Sequence, residues 1–451
     1  MKTQSQQYSV WQYRFWLINL KKAISLIGGS FWFIPSMMII LAISTSFLLP
    51  LVQLPSPVED MLASLFADMQ SETPAKVIDL IASSVITITS IAFSMTVVAL
   101  VMASNQFGPR LIKNFMQNTM TQLVLGVFTA TFIFCVLIVS RINVGDASSF
   151  YPQLSLLISL VLAIINVLVL IFFIHHVASS IRADAVVQQI SSSLMEDMHT
   201  LQSENDRVYK FTSIIEVNTY QHSLDVLSQC DGYIQAIEYK QILDIATQFK
   251  GVLVMQLCAG QYVVPGTPIA KLYSEQSVPK DISLDGALII GQERTALQDP
   301  LFAINQLVEM ALRALSPSLN DPFTATNCID RLASAMASFT EDNIPKTSIV
   351  DEQNEIRILT AEATFADLFK GAFNQIRQNS AAHSFVVIHL LDTFIILLKA
   401  CDRKAHMCDA VGVQVQSLKR YHQQTNTFRN EEDQHQFDTR IEELEDLLKV
   451  N

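Results

Sequence analysis

Four long stretches of this sequence contain no Asp, Glu, Lys or Arg: residues 23–58, 80–109, 114–140 and 147–181. Inside them run apolar segments near 31–54, 81–103, 120–140 and 154–176. Each holds the roughly 20 residues that an α-helix needs to cross ~30 Å of hydrocarbon. Lipid offers no partner to a free backbone amide, so such segments cross as helices. Four in series predict a membrane α-helical front rather than the buried helices of a soluble core.

The charge distribution separates this front from the rest. Of the 30 Lys/Arg and 42 Asp/Glu, only eight and six lie in the first 181 residues, which leaves the remaining 270 with a net charge of −14. Mean hydropathy over the chain is +0.32, and the excess sits in the front part. An acidic soluble part lacks the cations that displace phosphate counterions, so nucleic acid is excluded as an expected partner. Five of the six cysteines lie in the back part with no disulfide-framework spacing, as suits reduced thiols in a cytoplasm. The N-terminus has no secretory-signal pattern.

Orientation follows the placement of Lys and Arg. Lys2, Arg14, Lys21 and Lys22 precede the first span, Arg110 and Lys113 fall in the second loop, and Arg182 follows the fourth span. The first loop, 55–79, carries Glu59, Asp60, Asp68, Glu72 and Asp79 against Lys76 alone. Both termini are therefore expected in the cytoplasm, with the protein in the bacterial inner membrane. Residues 1–30 mix Trp11, Phe15 and Trp16 with cations and read as an interfacial helix.

The second span differs from the others in its hydroxyls. Ser83, Thr87, Ser90 and Ser94 follow the i, i+4, i+7, i+11 spacing of one helical seam, and Asn105 continues it. A hydroxyl-lined pore is one reading, because side-chain oxygens partly replace ion hydration. A close helix–helix seam is the other, since small residues let backbones approach.

After the fourth span, Arg182 to about Phe211 reads as an amphipathic helix with Val186, Ile190, Leu194, Met198 and Leu201 on one side. Gly232–Ile237 and Val252–Leu257 read as strands around a helix at Tyr239–Phe249. Gly260 to Leu272 reads as turn, strand, turn, strand. The G-x-Y-V-V-x-G-x-P-I pattern resembles a half-motif of biotinyl and lipoyl carrier barrels, without the carrier lysine, so a small structural β-barrel is expected. At the C-terminus, Phe437, Ile441, Leu444 and Leu448 form an apolar seam that needs a partner, from its own domain or another subunit.

The densest polar constellation lies in residues 291–327. Glu293, Arg294, Gln298 and Asp299 precede one helix, 301–315, and Asn320, Asp321 and Thr324 open the next, 323–338; Arg313 lies between. Asp299-Pro300 and Asp321-Pro322 both place an acceptor before a proline, the arrangement of a capped helix start. The groups can serve as caps with one ion-pair network, or as a ligand site or interface lock.

At these residues the sequence resembles a bacterial family of predicted membrane proteins of unknown function. The family pattern E-R-T-x-x-Q-D-P stands here at Glu293–Pro300, A-L-R-A-L-S-P-x-x-N-D-P-x-T-A at Ala311–Ala325, and Q-F-x-P-R at Gln106, Phe107, Pro109 and Arg110. The resemblance implies an architecture and no activity.

No nucleotide loop, zinc spacing or nucleophile–base pair accompanies these motifs, so no cofactor, metal or enzymatic role is expected. The expected plan is an interfacial helix (1–30), a four-helix transmembrane domain (31–181), a linking helix (182–228), a small β-rich domain (229–290) and a helical cytoplasmic domain (291–451). It amounts to four transmembrane helices followed by an α+β cytoplasmic part. The expected function is a homo-oligomeric ion channel in the lipid bilayer, gated or assembled by that cytoplasmic part; a non-conducting sensor or scaffold is the alternative.

Overall fold

A computed structural model describes residues 31–49, 73–108, 118–144, 152–205, 220–279, 282–284, 286–338, 348–402, 404–425, 428 and 430–449, with isolated positions in 55–64. The interfacial segment 1–30 and the Pro109-Arg110 end of the loop motif lie outside these residues. The chain divides into two compact units, residues 1–182 and 183–451.

The first unit is helical: α1 (Phe33–Leu48), α2 (Thr73–Phe107), α3 (Thr119–Val144) and α4 (Pro152–Ser180). Three of its segments are long and apolar enough to span a membrane: Pro74–Phe107, Thr119–Ile142 and Gln153–Ser180. The fourth expected span is described only as the 16 residues of α1. The end of that expected span, 50–54, lies outside the described residues. Among the described residues there are thus three candidate spans, and the fourth expected one is not confirmed.

Helix α3 is the hub, packing on α1, α2 and α4. Gly126 lets α1 approach, for a Cβ there would sit 2.6 Å from the Met38 sulfur and 3.3 Å from the Pro35 Cα. Phe128, Phe134, Cys135 and Ile138 of α3 fill the interior with Ile78 and Val85 of α2 and Leu156 and Phe173 of α4. The outer faces are apolar: Leu41, Ile164, Leu168 and Ile171 are all exposed, the pattern of helices solvated by lipid.

The second unit starts with α5 (Ala183–Asn205), whose buried Val186, Val187, Ile190 and Leu194 pack on α7 (Pro300–Ala314) and α8 (Pro322–Ala337). Its sheets are built from β1 (His222–Leu227), β2 (Gly232–Ile237), β3 (Gly251–Met255), β4 (Tyr262–Val263), β5 (Pro268–Ser274), β6 (Leu288–Gly291), β7 (Ser348–Val350) and β8 (Ile356–Leu359), with α6 (Tyr239–Gln248) between β2 and β3.

Among the described residues these strands do not close into the expected barrel. They form one sheet of order β1-β5-β3-β8-β7 and another of order β4-β2-β6. The reason lies in the hairpin motif itself: β4 pairs with β2, whereas β5 pairs with β1 and β3. The turn at Gly266 (φ +87°) therefore carries the chain from one sheet to the other. Ile234 and Ile237 from the small sheet meet Val226, Leu253, Leu272 and Ile358 from the large one in a shared core.

The boundary drawn at residue 290 does not separate sheet from helices. Strand β8 joins the large sheet beside β3, in parallel, with Leu253 opposite Ile358. The rest is helical: α9 (Phe365–Asn379), a 3₁₀ turn (Ser380–Ala382), α10 (Ser384–Ala400), α11 (Ala405–Thr425) and α12 (Glu431–Lys449). Phe369, Phe373 and Phe394 interlock at its centre, with ring centroids 4.7 to 5.8 Å apart. The partner of the C-terminal seam lies in the same unit: α12 buries Phe437, Ile441 and Leu444 against α10, and Arg440 pairs with Asp392 at 2.6 Å.

Candidate functional sites: the hydroxyl seam and the motif network

Helix α2 packs into its unit through Ile78, Ala82, Val85, Thr89, Ala92, Thr96, Ala103 and Phe107, all buried. Ser83, Thr87, Ser90 and Ser94 are exposed, and so is Asn105. At 100° per residue the two sets lie roughly 150° apart around the helix. Among the described residues the Ser83–Thr87–Ser90 part of the seam is therefore turned away from the helices α2 packs on, whereas Ser94 lines a cleft shared with Ile174 and Val177 of α4.

Its hydroxyls are satisfied locally, each donating one turn back: Ser83 to the Asp79 carbonyl, Thr87 to Ser83 and Ser90 to Ile86, all at 2.9 Å. Such back-bonding removes most of the cost of a hydroxyl in lipid and leaves the oxygen's lone pairs outward. Of the loop motif, Gln106 is exposed, Phe107 is buried and Gly108 turns the chain with φ +106°.

The packed polar seam belongs to α4, where the sequence reading did not look. Ser155, Ser159 and Asn166 are buried against α3. Asn166, 1% exposed, donates its amide to Thr131 Oγ1 at 2.9 Å and to the Leu162 carbonyl at 2.6 Å. The signal was available: Ser155, Ser159 and Asn166 repeat the i, i+4, i+11 spacing of the α2 hydroxyls. The same spacing marks an interhelical contact in one helix and an uncovered face in the other.

In the second unit the motif 293–300 docks on β2. The Gln298 side chain acts as a strand segment, its Oε1 accepting from the Ile237 amide (2.8 Å) and its Nε2 donating to the Ile237 carbonyl (3.2 Å). Gln235 Nε2 donates to the Glu293 carbonyl at 2.7 Å. Asp299, 3% exposed, does not cap α7 with its carboxylate as expected; it forms a two-pronged pair with Arg294 Nε and Nη2. The pairing wins because a buried carboxylate gains more from a cation than from polarised amides.

Room for that carboxylate is made at Gly260 (φ +87°), where a Cβ would overlap it. Nearby, Tyr239 donates to Glu362 Oε1 at 2.5 Å. Burial, and the Asp299 charge after it, push the Glu362 carboxyl above its ordinary 4.5, although the Tyr239 bond opposes them.

The second motif does cap. Asp321 accepts from the Thr324 amide (3.1 Å) and the Thr324 hydroxyl (2.6 Å), and its own amide donates to the Ala314 carbonyl (2.8 Å). Asn320 takes φ +47°, the left-handed turn between the helices that asparagine tolerates. Arg313 stands in the last turn of α7, where a cation suits the helix dipole. The two motifs thus divide: one docks on β2 through Gln298 and Gln235 and is held by an internal Arg294–Asp299 pair, the other joins α7 to α8.

A family model for predicted membrane proteins, DUF2254, matches residues 28–395, from the start of the helical unit into α10. The chain belongs to the DUF2254 family. Two uncharacterised relatives, from Mycobacterium bovis and Mycobacterium tuberculosis (strain H37Rv), are each 25% identical over 397 residues, covering 85% of this chain and 75% of theirs. No solved structure matches it. The DUF2254 match takes in both the α2 seam and the 293–325 motifs, and stops before α11 and α12.

Proposed function

We propose that this protein assembles as a homo-oligomer in the bacterial cytoplasmic membrane, both termini inside, with the α2 helices of several copies facing one another across an ion-conducting path. The 183–451 unit assembles or gates that path and performs no catalysis. One observation carries the reading: among the described residues Ser83, Thr87 and Ser90 are exposed on a face of α2 turned away from the residues it buries. A hydroxylated face gains nothing from lipid, whereas around a common axis its outward lone pairs meet water and cations.

Membrane scaffolding without conduction is the second reading, favoured by the back-bonding of these hydroxyls, which lets the face sit dry against another copy. The two separate on one substitution. Thr87→Leu in a channel lowers single-channel conductance in planar bilayers and leaves the oligomer's elution unchanged. In a dry seam the added bulk disturbs the contact by about 1–3 kcal/mol, and the oligomer dissociates. A wild type silent under every voltage and ion gradient, together with a Thr87→Cys thiol closed to aqueous reagents, would remove the channel.

A further inference from the structure

A cavity of about 110 Å³ lies in the helical part of the second unit, between the end of α9, the 3₁₀ turn and the α11–α12 pair. Its walls are aromatic and aliphatic: Phe428 and Phe437 stand 5.2 Å apart, His422 stacks 4.6 Å from each, and Leu418 completes them. The cation in this wall is Arg377. Its guanidinium is held by neutral oxygens, Gln414 Oε1 to Nε at 2.8 Å and Asn374 Oδ1 to Nη2 at 2.6 Å. No carboxylate pairs with it among the described residues. Burial already pulls its pKa below the ordinary arginine value.

A half-buried guanidinium normally recruits a carboxylate, because two oxygens match its fork and repay its desolvation. Here two amide oxygens hold the fork in place instead, and the other donors remain for something else. His422 is committed elsewhere. Its Nε2 lies 2.6 Å from Gln434 Oε1, and Gln434 in turn donates to Asp438 at 2.9 Å, so the ring is held as a fixed wall. The volume sets the size of the missing group: at ~30 Å³ per water, the cavity equals about four waters. The apolar walls set its character, for a bare inorganic anion would lose hydration against them without return.

We infer that this cavity binds a short-chain monocarboxylate, its carboxylate on Arg377 and its alkyl end against the wall of Phe428 and Phe437. Tyr421 and His422 on α11 and Phe437 on α12 lie beyond residue 395, where the family match ends. The C-terminal helices thus complete a site whose Arg377 lies within the family match, and it goes beyond the proposed pore.

The test uses the full-length protein in detergent, with propionate as probe and saturation-transfer NMR as readout. The propionate methyl signal should appear with wild type, and neutral 1-propanol, of the same chain length, should give much less. Arg377→Gln keeps a hydrogen-bonding group but no charge, and should weaken binding roughly tenfold or more. Ala381→Phe fills the cavity from the 3₁₀ turn and should abolish the signal in protein that elutes normally. The site is refuted if wild type gives no signal at millimolar propionate, or if both variants retain it. Equal signals from propanol, or displacement of propionate by equimolar inorganic phosphate, would refute the ligand class.

Discussion

At Gly260 one hydrogen atom decides whether the Asp299 carboxylate has a place. A methyl there would overlap that carboxylate, and φ +87° is a conformation an L-residue enters at a cost of ~1–2 kcal/mol. Gly260→Ala should therefore lower the melting temperature of the second unit by roughly 4–8 °C, if strain and displaced pairing total ~2 kcal/mol. An unchanged melting curve would mean that the turn relaxes freely.

Glu362 makes a prediction of opposite character. Its folded pKa lies above 4.5, so the folded state holds the proton more tightly than the unfolded chain. The stabilising difference is fully present below pH 4.5 and is lost as pH rises through the folded pKa. Glu362→Gln should melt higher than wild type at neutral pH, with the gap closing as pH falls past 4.5. Parallel pH profiles would show that the carboxyl is not desolvated. Little of this pairing was legible beforehand, because the partners Gly260, Asp299 and Glu362 come from distant segments and only the fold brings them together.

At the level of elements, a local signal marks where a helix begins and not what its first carboxylate does. Both Asp-Pro helix starts were found, yet the two aspartates do different work. Asp321 caps α8, and a neutral amide caps equally well, so Asp321→Asn should be nearly neutral and Asp321→Ala should cost about 1 kcal/mol. Asp299 answers a cation, so Asp299→Asn should cost more than Asp321→Asn by thermal denaturation. Equal costs would return both residues to simple capping. The hairpin at 260–272 was also legible, but the assignment of β4 and β5 to different sheets was not, since pairing partners leave no mark on a strand's own residues. In the membrane unit, hydroxyl spacing identified a seam without saying whether it is covered; Thr87 and Asn166 show both outcomes.

On the scale of the whole chain, the thiols report on sidedness. Cys230 is exposed, whereas burial raises Cys258 to about 11 and Cys328 to about 12. An impermeant maleimide should thus leave intact cells unlabelled and modify Cys230 in inverted vesicles, with Cys230→Ser removing the signal. Labelling of Cys230 from outside would reverse the proposed orientation.

The parallel pairing of β3 with β8 also orders events during synthesis. A ribosome releases β1 to β6 early, but the seat beside Leu253 stays empty until Ile358 emerges, after all of α7 and α8. Until then a nascent sheet presents bare amides and carbonyls along an apolar strand, an invitation to neighbouring chains. The α7–α8 hairpin, closed by short-range contacts, can form first and bring β8 to its place. A chain stopped after α8 should accordingly be held by chaperones or aggregate, while one extended past Leu359 escapes, so a nonsense codon's position in this gene matters more than the length it removes.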